Sequence, residues 1–458
     1  MNSTRFISLL GLAFGDCGKG LFTDYLCRHW QAHTVVRFNG GAQAGHNVVL
    51  PDGRHHTFSQ FGAATFVPDV VTLLAYPVVV HPTALLIENE FLQRAGVADG
   101  LQRLMIDARC RVTTPFHQAA GRLRELARGQ GAHGTCGVGV GETVRHSLDH
   151  PGQILRYADL LNPILALDKL EVIRTTLLRE LENIAAPAPS HVQMQQAFAT
   201  EWQVLNDASI SRRWLERVGA LTLQVVPAQQ PLIAQRLHLP GTVIFEGAQG
   251  ILLDEWRGFH PHTTWSSIHP SAVEAVLADA GQTAMVQHFG VLRSYLTRHG
   301  CGPLPTWDAS LDSLPEPHNG SDGWQGKFRR GHPDAILLRY AMAVAGKLDG
   351  LLVSHLDVFD RLPGLRWCQG YEIAPTDATD ATLVRDSTTG LVTGLRHGLM
   401  GDLGHQAALT QSLFKAQPRY EAGLITIPRA FLARLESMAN LPVYCGAFGP
   451  TFESVVQF

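Results

Sequence analysis

Asp16 and Lys19 stand in GLAFGDCGKG (residues 11–20), directly after an apolar run and before LFTDYLCRHW. Glycines let backbone N–H groups approach phosphate oxygens, and a helix N-terminus favours their negative charge. Gly15, Gly18 and Gly20 would form that cradle and Lys19 would add a point charge. Asp16 adds a carboxylate that can hold a hard metal ion. The loop is not a Walker A motif, because Ala13 takes its first glycine position and Gly20 replaces its hydroxyl.

Four further loops carry similar chemistry. VVRFNGGAQAGHNVV (35–49) offers Asn39, Gln43, Gly45 and His46 at the end of a predicted strand, where α/β sheets bind ligands. GAHGTCGVGVGETVRHS (131–147) places Thr135 and Cys136 among five glycines, which reads as an anion nest or a surface loop. FEGAQGILLD (245–254) supplies Gln249, an amide able to read a base edge. GWQGKFRRGHPD (323–334) clusters Lys327, Arg329 and Arg330, suited to carboxylate or phosphate but also to a solvated basic loop.

The elements that must position these loops are short apolar runs followed by glycine. Strands are predicted at 6–13, 33–38, 70–75, 242–246, 284–289 and 349–354, and helices at 20–30, 84–94, 117–129, 272–281 and 334–346. That alternation predicts an α/β fold with a large, mainly parallel sheet flanked by helices. Residues 155–235 lack the Gly-rich loops and read as a helical insertion, with APAPS (186–190) as a linker. Residues 363–405 read as a small antiparallel region.

Composition narrows the class. Among 458 residues, charged residues are 17%, below the roughly 25% of ordinary proteins, and net charge is −3. No basic excess points to a nucleic-acid polymer. The 45% apolar content excludes a disordered chain. Seven cysteines show neither a CxxC pair nor zinc-like spacing, which fits a reduced, cytoplasmic setting. Residues 6–14 read as a buried strand, and Pro77, His81 and Pro82 interrupt 70–87, so no membrane segment is expected.

The ordered loops resemble those of the adenylosuccinate synthetase family. The pieces are GDCGKG, RFNGGAQAGH, TPFH (114–117), GTCGVGVG, FEGAQGILLD, RSYLTRHGCGPLPT (293–306), FRRGHPD, HLDVFD (355–360) and GPTFES (449–454). The resemblance implies one synthetase-like domain over 1–458, with a helical subdomain at about 151–238, in a homodimer. It implies a ligase joining L-aspartate to C6 of IMP through a 6-phosphoryl intermediate, with GTP as co-substrate and Mg²⁺. Asp16 would be the catalytic base and a metal ligand, and His46 would stabilise charge on O6. Lys19 with Gly15, Gly18 and Gly20 would cradle phosphate, and Gly45 would help hold the metal. Asn39, Gln43, Thr135, Cys136, Gln249, Thr264 and Gly449 fall at nucleotide-contacting positions or loops. Lys327, Arg329 and Arg330 would clamp the amino acid, Asp357 would read guanine, and Arg145 is the candidate contributed across the dimer.

The chain departs from the family pattern at ligand contacts. Cys17 replaces Glu, Gln43 replaces Asn, Cys136 replaces the second Thr of a pair, and Val138 replaces Arg. Trp324-Gln325-Gly326-Lys327 stands for Thr-Thr-Gly-Arg, and His355 stands for the Lys of the guanine motif. These changes leave two alternatives: the same chemistry on a dGMP-like nucleotide or another amino acid with ATP, as in a phage branch of the family, or a nucleotide-binding paralogue without turnover. Retention of Asp16 weighs against the phage-like reading, since that branch has a smaller residue there.

Overall fold

The apolar run after Arg5 forms the central strand, Thr4–Gly11, buried from Phe6 onward on both faces. A strand covered on both sides needs continuous hydrophobic sequence rather than alternation. The computed structural model describes residues 4–188, 190–320, 323–376 and 381–458. Its main sheet has nine strands. From one edge they are Val455–Gln457, Val443–Ala447, Gly350–Ser354, Val286–Arg293, Thr4–Gly11, Gly241–Glu246, Ala32–Arg37, Val71–Leu74 and Leu104–Ile106. All neighbours pair in parallel except the terminal strand, which runs antiparallel to Val443–Ala447.

All six expected strands lie in this sheet, and all five expected helices form. Helix starts carry local signals. Asp334 caps Ala335–Ala345 by accepting from the N–H groups of Ile336 and Leu337 at 3.0 and 3.1 Å. Pro115 opens Pro115–Arg128 behind the Thr114 cap. The expected antiparallel region is a four-stranded sheet, ordered Leu383–Arg385, Val392–Leu395, Cys368–Glu372 and Gln417–Tyr420. It extends beyond residue 405 because the last of these strands returns to pair with Cys368–Glu372.

The helical stretch contains Pro163–Leu181, Val192–Asn206, Ser209–Gln224 and Gln230–Leu237. Its apolar faces bury Leu170, Ile173, Leu205 and Trp214 in a cluster shared with Phe116 and Leu123. The expected linker falls between the first two of these helices, and Pro189 within it lies outside the described residues. Residues 70–87 divide into Val71–Leu74, Val79–Val80 and the helix Pro82–Arg94. Among the described residues, no helix is long and apolar enough to cross a membrane. All seven cysteines are free.

Candidate active site

The chain leaves the central strand at Gly11 and re-enters regular structure at Lys19, so the first Gly-rich loop sits at the carboxyl end of the sheet. Gly18 caps the helix with φ +90°, a conformation L side chains disfavour, and a Cβ there would meet Ser354 Cβ at 2.7 Å. A Cβ at Gly20 would meet the Asn47 carbonyl oxygen at 2.6 Å. These close approaches pack the loop against two neighbouring segments. Lys19 is buried and its Nζ donates to the carbonyls of Gly15 (2.6 Å) and Gln249 (2.7 Å), bracing two Gly-rich loops together. Cys17 is buried beside it, and burial pushes its thiol pKa up, so it stays neutral.

A cavity of about 360 Å³ opens over this loop. Its walls include Asp16, Lys19, Gly45, His46, Arg293 and His355. Asp16 Oδ2 accepts from Arg293 Nη2 at 2.5 Å and from Asn319 Nδ2 at 2.7 Å. The same guanidinium donates through Nη1 to Glu316 Oε1 at 2.5 Å, and Tyr295 donates to that oxygen at 2.8 Å. Burial would raise the Asp16 pKa, but the charge and hydrogen bond of Arg293 outweigh it and hold the carboxyl at about 2.

His46 begins the strand His46–Val49 and is buried against Glu246, the last residue of a central strand. Nδ1 and Glu246 Oε1 are 2.5 Å apart, while the other carboxylate oxygen accepts from Ala63 N–H at 2.9 Å. Nε2 is buried and has no hydrogen-bond partner among the described residues. Burial pushes the imidazole pKa down to about 4 against the opposing pull of Glu246. With Nδ1–H given to the carboxylate, the free nitrogen is Nε2. His355 is left-handed at φ +59°, and its Nδ1 lies 2.8 Å from Ser354 Oγ. Burial, then Arg293, pushes its pKa down to about 3, so it is neutral. Asp357 accepts from Arg361 at 3.1 Å on the same wall.

A second locus adjoins the first loop. The guanidinium of Arg298 lies 4.0 Å over the ring of Phe14, next to Gly15. Arg298 is buried and donates only to the carbonyls of Pro303 (3.0 Å) and His262 (3.2 Å). Arg329 donates to the Gly302 carbonyl at 2.5 Å. Among the described residues neither has a carboxylate partner, and burial together with their mutual repulsion disfavours the charge on Arg298. Arg298 and Arg329 are paired across the two strands Leu296–His299 and Phe328–Gly331, and guanidiniums so placed can accept a carboxylate ligand.

These loops carry a family signature as well as a geometry: the family model described as Adenylosuccinate synthetase matches residues 8–392. The chain belongs to the adenylosuccinate synthetase family. It is a purine-biosynthetic, nucleotide-binding ligase that uses a nucleoside triphosphate. The adenylosuccinate synthetase of Mycobacterium leprae is 30% identical to it, covering 97% of this chain and 96% of that one. The fold is similar to that of fully ligated adenylosuccinate synthetase from Plasmodium falciparum, at TM-score 0.75 and 19% identity with full coverage of both chains. It is also similar, at TM-score 0.57 and 14% identity, to succinoaminodeoxyadenylate synthetase of cyanophage S-2L bound to dGMP and dATP. That match covers 99% of this chain and 95% of the phage chain.

Among the expected site residues of this synthetase, Gly15, Asp16, Gly18, Lys19, Gly20, Gly45, His46, His355, Asp357 and Gly449 line the one cavity. Gln249 and Gln43 lie outside its walls, at the Gly40–Gly41 turn, where both keep a buried side-chain oxygen without a partner. Asn39 instead holds the scaffold, accepting from Ala248 N–H at 2.8 Å and donating to Ser266 Oγ at 3.1 Å. Thr264 is tied to the Leu253 carbonyl at 3.0 Å. Thr135 and Cys136 sit on a loop whose N–H groups at Gly134 and Thr135 bond Glu125, and Trp324 packs against its Gly137.

Three of the expected cations have other contacts in the structure. Arg330 is buried away from Arg329, on the other face of the strand Phe328–Gly331, bonded to the Leu314 carbonyl at 2.9 Å and to Asp312 at 3.3 Å. Lys327 is exposed with Nζ 5.2 Å from the Trp307 ring centroid. Arg145 is held within its own subunit by Glu142, Asp149 and Glu180, at 2.7, 2.6 and 2.6 Å. Conversely, Arg293, Glu316, Asn319, Glu246 and Arg298 were not singled out by the sequence. Arg293, Glu246 and Arg298 lie inside quoted motifs, whereas LPEPHN (314–319) reads as an ordinary polar loop.

Proposed function

We propose that the enzyme joins L-aspartate to C6 of IMP with GTP, giving adenylosuccinate, GDP and phosphate. The observation that carries the reading is the meeting, in one cavity, of an ionised Asp16 and the unpartnered Nε2 of a Glu246-oriented His46. In the first step Asp16 takes the N1 proton of IMP, and O6 attacks the γ-phosphorus of GTP, releasing GDP. A carboxyl at about 2 is a weak base. Substrate entry that draws Arg293 onto Glu316 alone raises its basicity, because burial then dominates. An anion arriving at Nε2 favours the imidazolium form of His46, which Glu246 stabilises, and the N–H then neutralises charge on O6 and the phosphoryl group. In the second step the aspartate amine attacks C6, and phosphate leaves with the original O6.

Arg329, with Arg298 beside it, receives the amino acid's carboxylates. Gln249, whose two amide atoms are unpaired among the described residues, and the unpaired Oε1 of Gln43 face the IMP moiety. Mg²⁺ fits the donor set, since Asp16 Oδ1 has no bonded partner among the described residues and Gly45 lies exposed in the same cavity wall. It would be held by Asp16, the Gly45 carbonyl and phosphate oxygens, and would supply charge neutralisation on the transferred group. A cytoplasmic homodimer is the setting the family implies.

Phosphate release in the presence of IMP, aspartate and GTP tests the reading. Release that requires all three supports it. Faster release with ATP, or with dGMP in place of IMP, would replace the substrate assignment, and no release with any combination would leave a binding protein.

A further inference from the structure

Away from the cavity, three metal-capable side chains converge at the end of one helix. His146 lies on the last turn of Val140–Asp149 and His150 caps it, four residues on, so one helical turn stacks them on the same face. Glu180 reaches them from the long helix Pro163–Leu181. His150 Nε2 and Glu180 Oε1 are 2.7 Å apart, and one donor atom from each of the three residues lies within 4.8 Å of the other two.

His146 is the informative member. It is 1% exposed, and among the described residues neither of its ring nitrogens has a hydrogen-bond partner. A buried imidazole with both nitrogens unpaired is costly, because it loses its bonds to water and gains none. Its neighbours do not remove that cost. His117 packs edge-on with its ring 5.2 Å away, and the His117 Nε2 is itself buried and unpaired.

The surroundings hold the carboxylate in place. The second oxygen of Glu180 accepts from Arg124 and Arg145, both at 2.6 Å, which leaves Oε1 turned toward His150. Glu142 and Asp149 balance those guanidiniums. Two cations against three carboxylates leave the cluster net negative, which favours an added dication.

We propose that His146, His150 and Glu180 bind a divalent ion of the zinc class. Two imidazoles and one carboxylate are a borderline-soft set that suits Zn²⁺ or Co²⁺, with a fourth position left for solvent; Mg²⁺ prefers oxygen alone. Donors in a tetrahedral zinc site lie roughly 3.4 Å apart, so small side-chain rotations close the site. The ion fastens the end of Val140–Asp149 to Pro163–Leu181. The site is separate from the Mg²⁺ expected at Asp16, and none of its three residues lines the catalytic cavity.

The test uses the full chain, stripped with a chelator and titrated with Zn²⁺ or Co²⁺. One ion per chain is expected in the wild type, with a higher melting temperature on Zn²⁺ addition. The Co²⁺ visible spectrum should lack a thiolate charge-transfer band, which separates the site from the free cysteines. His150 is partly exposed, so His150→Gln should fold, and its melting temperature without metal checks this. That variant and Glu180→Gln should each weaken binding by more than about a hundredfold, beyond the loss typical of an outer-sphere change. No binding in the wild type, undiminished binding in both variants, or a thiolate band would each overturn the proposal.

Discussion

Arg293 holds Asp16 through a 2.5 Å contact between Nη2 and Oδ2 while its other nitrogen reaches Glu316. The carboxylate proposed to remove a proton is thus kept ionised by a buried cation that has a second anion to retreat to. Removing that cation leaves burial to act alone and raises the Asp16 pKa. Arg293→Leu should therefore move the acid limb of the kcat/KM profile upward by one pH unit or more. An unmoved limb would separate Arg293 from the ionisation of Asp16.

The sign carries over to stability. A folded-state pKa of about 2 lies below the unfolded value, so the stabilisation is complete above the unfolded pKa and is lost as pH falls through about 2. Wild type should resist acid unfolding between pH 4 and 2 better than Asp16→Asn. Equal loss of near-UV dichroism across that range would contradict the assignment.

His46 and Glu246 make a second, separable prediction. His46→Asn removes the donor at the developing charge, which typically costs about 10² to 10³ in kcat. Glu246→Gln keeps the shape and loses the charge that favours imidazolium, so a smaller loss of about tenfold or more is expected. Steady-state kinetics with nucleotide KM nearly unchanged would support both roles. A loss confined to KM would make His46 a binding residue.

The two arginines of the FRRGHPD segment should behave differently. Arg329→Ala should raise KM for aspartate far more than KM for the nucleotides. Arg330→Ala should lower the melting temperature with little change in aspartate KM, since Arg330 ties the strand to Asp312 and the Leu314 carbonyl. Matching kinetic defects in both variants would break that division.

His355 sits where the family carries Lys, and at a pKa of about 3 it contributes no charge to the base pocket. His355→Lys should shift the GTP-to-ATP preference toward GTP, measured as the ratio of kcat/KM values. No change in the ratio would remove the position from base selection.

The sheet was legible in the sequence because buried parallel strands are continuous apolar runs, and three of them, Thr4–Gly11, Ala32–Arg37 and Gly241–Glu246, lead into Gly-rich loops. Asp16 and His46 could be found for the same reason: they sit on loops that strand ends must present. What the sequence concealed was pairing across space. Arg293 and Asn319 meet Asp16 from 277 and 303 residues away, Glu316 is linked to it through both, and nothing local marks LPEPHN as a wall. Arg329 and Arg330 look equivalent in a string, yet a strand turns neighbours to opposite faces. Arg145 reads in the string as a candidate contributed across the dimer, and its ion pairs are not visible there: Glu142 and Asp149 lie three and four residues away on the same helix face, and Glu180 comes from another helix.

The central claim is that O6 of IMP is phosphorylated before the amine attacks. IMP carrying an isotopic oxygen label at O6, incubated with the enzyme, aspartate and GTP, tests it most directly by mass spectrometry of the products. The label should leave in inorganic phosphate, with none in GDP. Label released as water, with unlabelled phosphate, would contradict it.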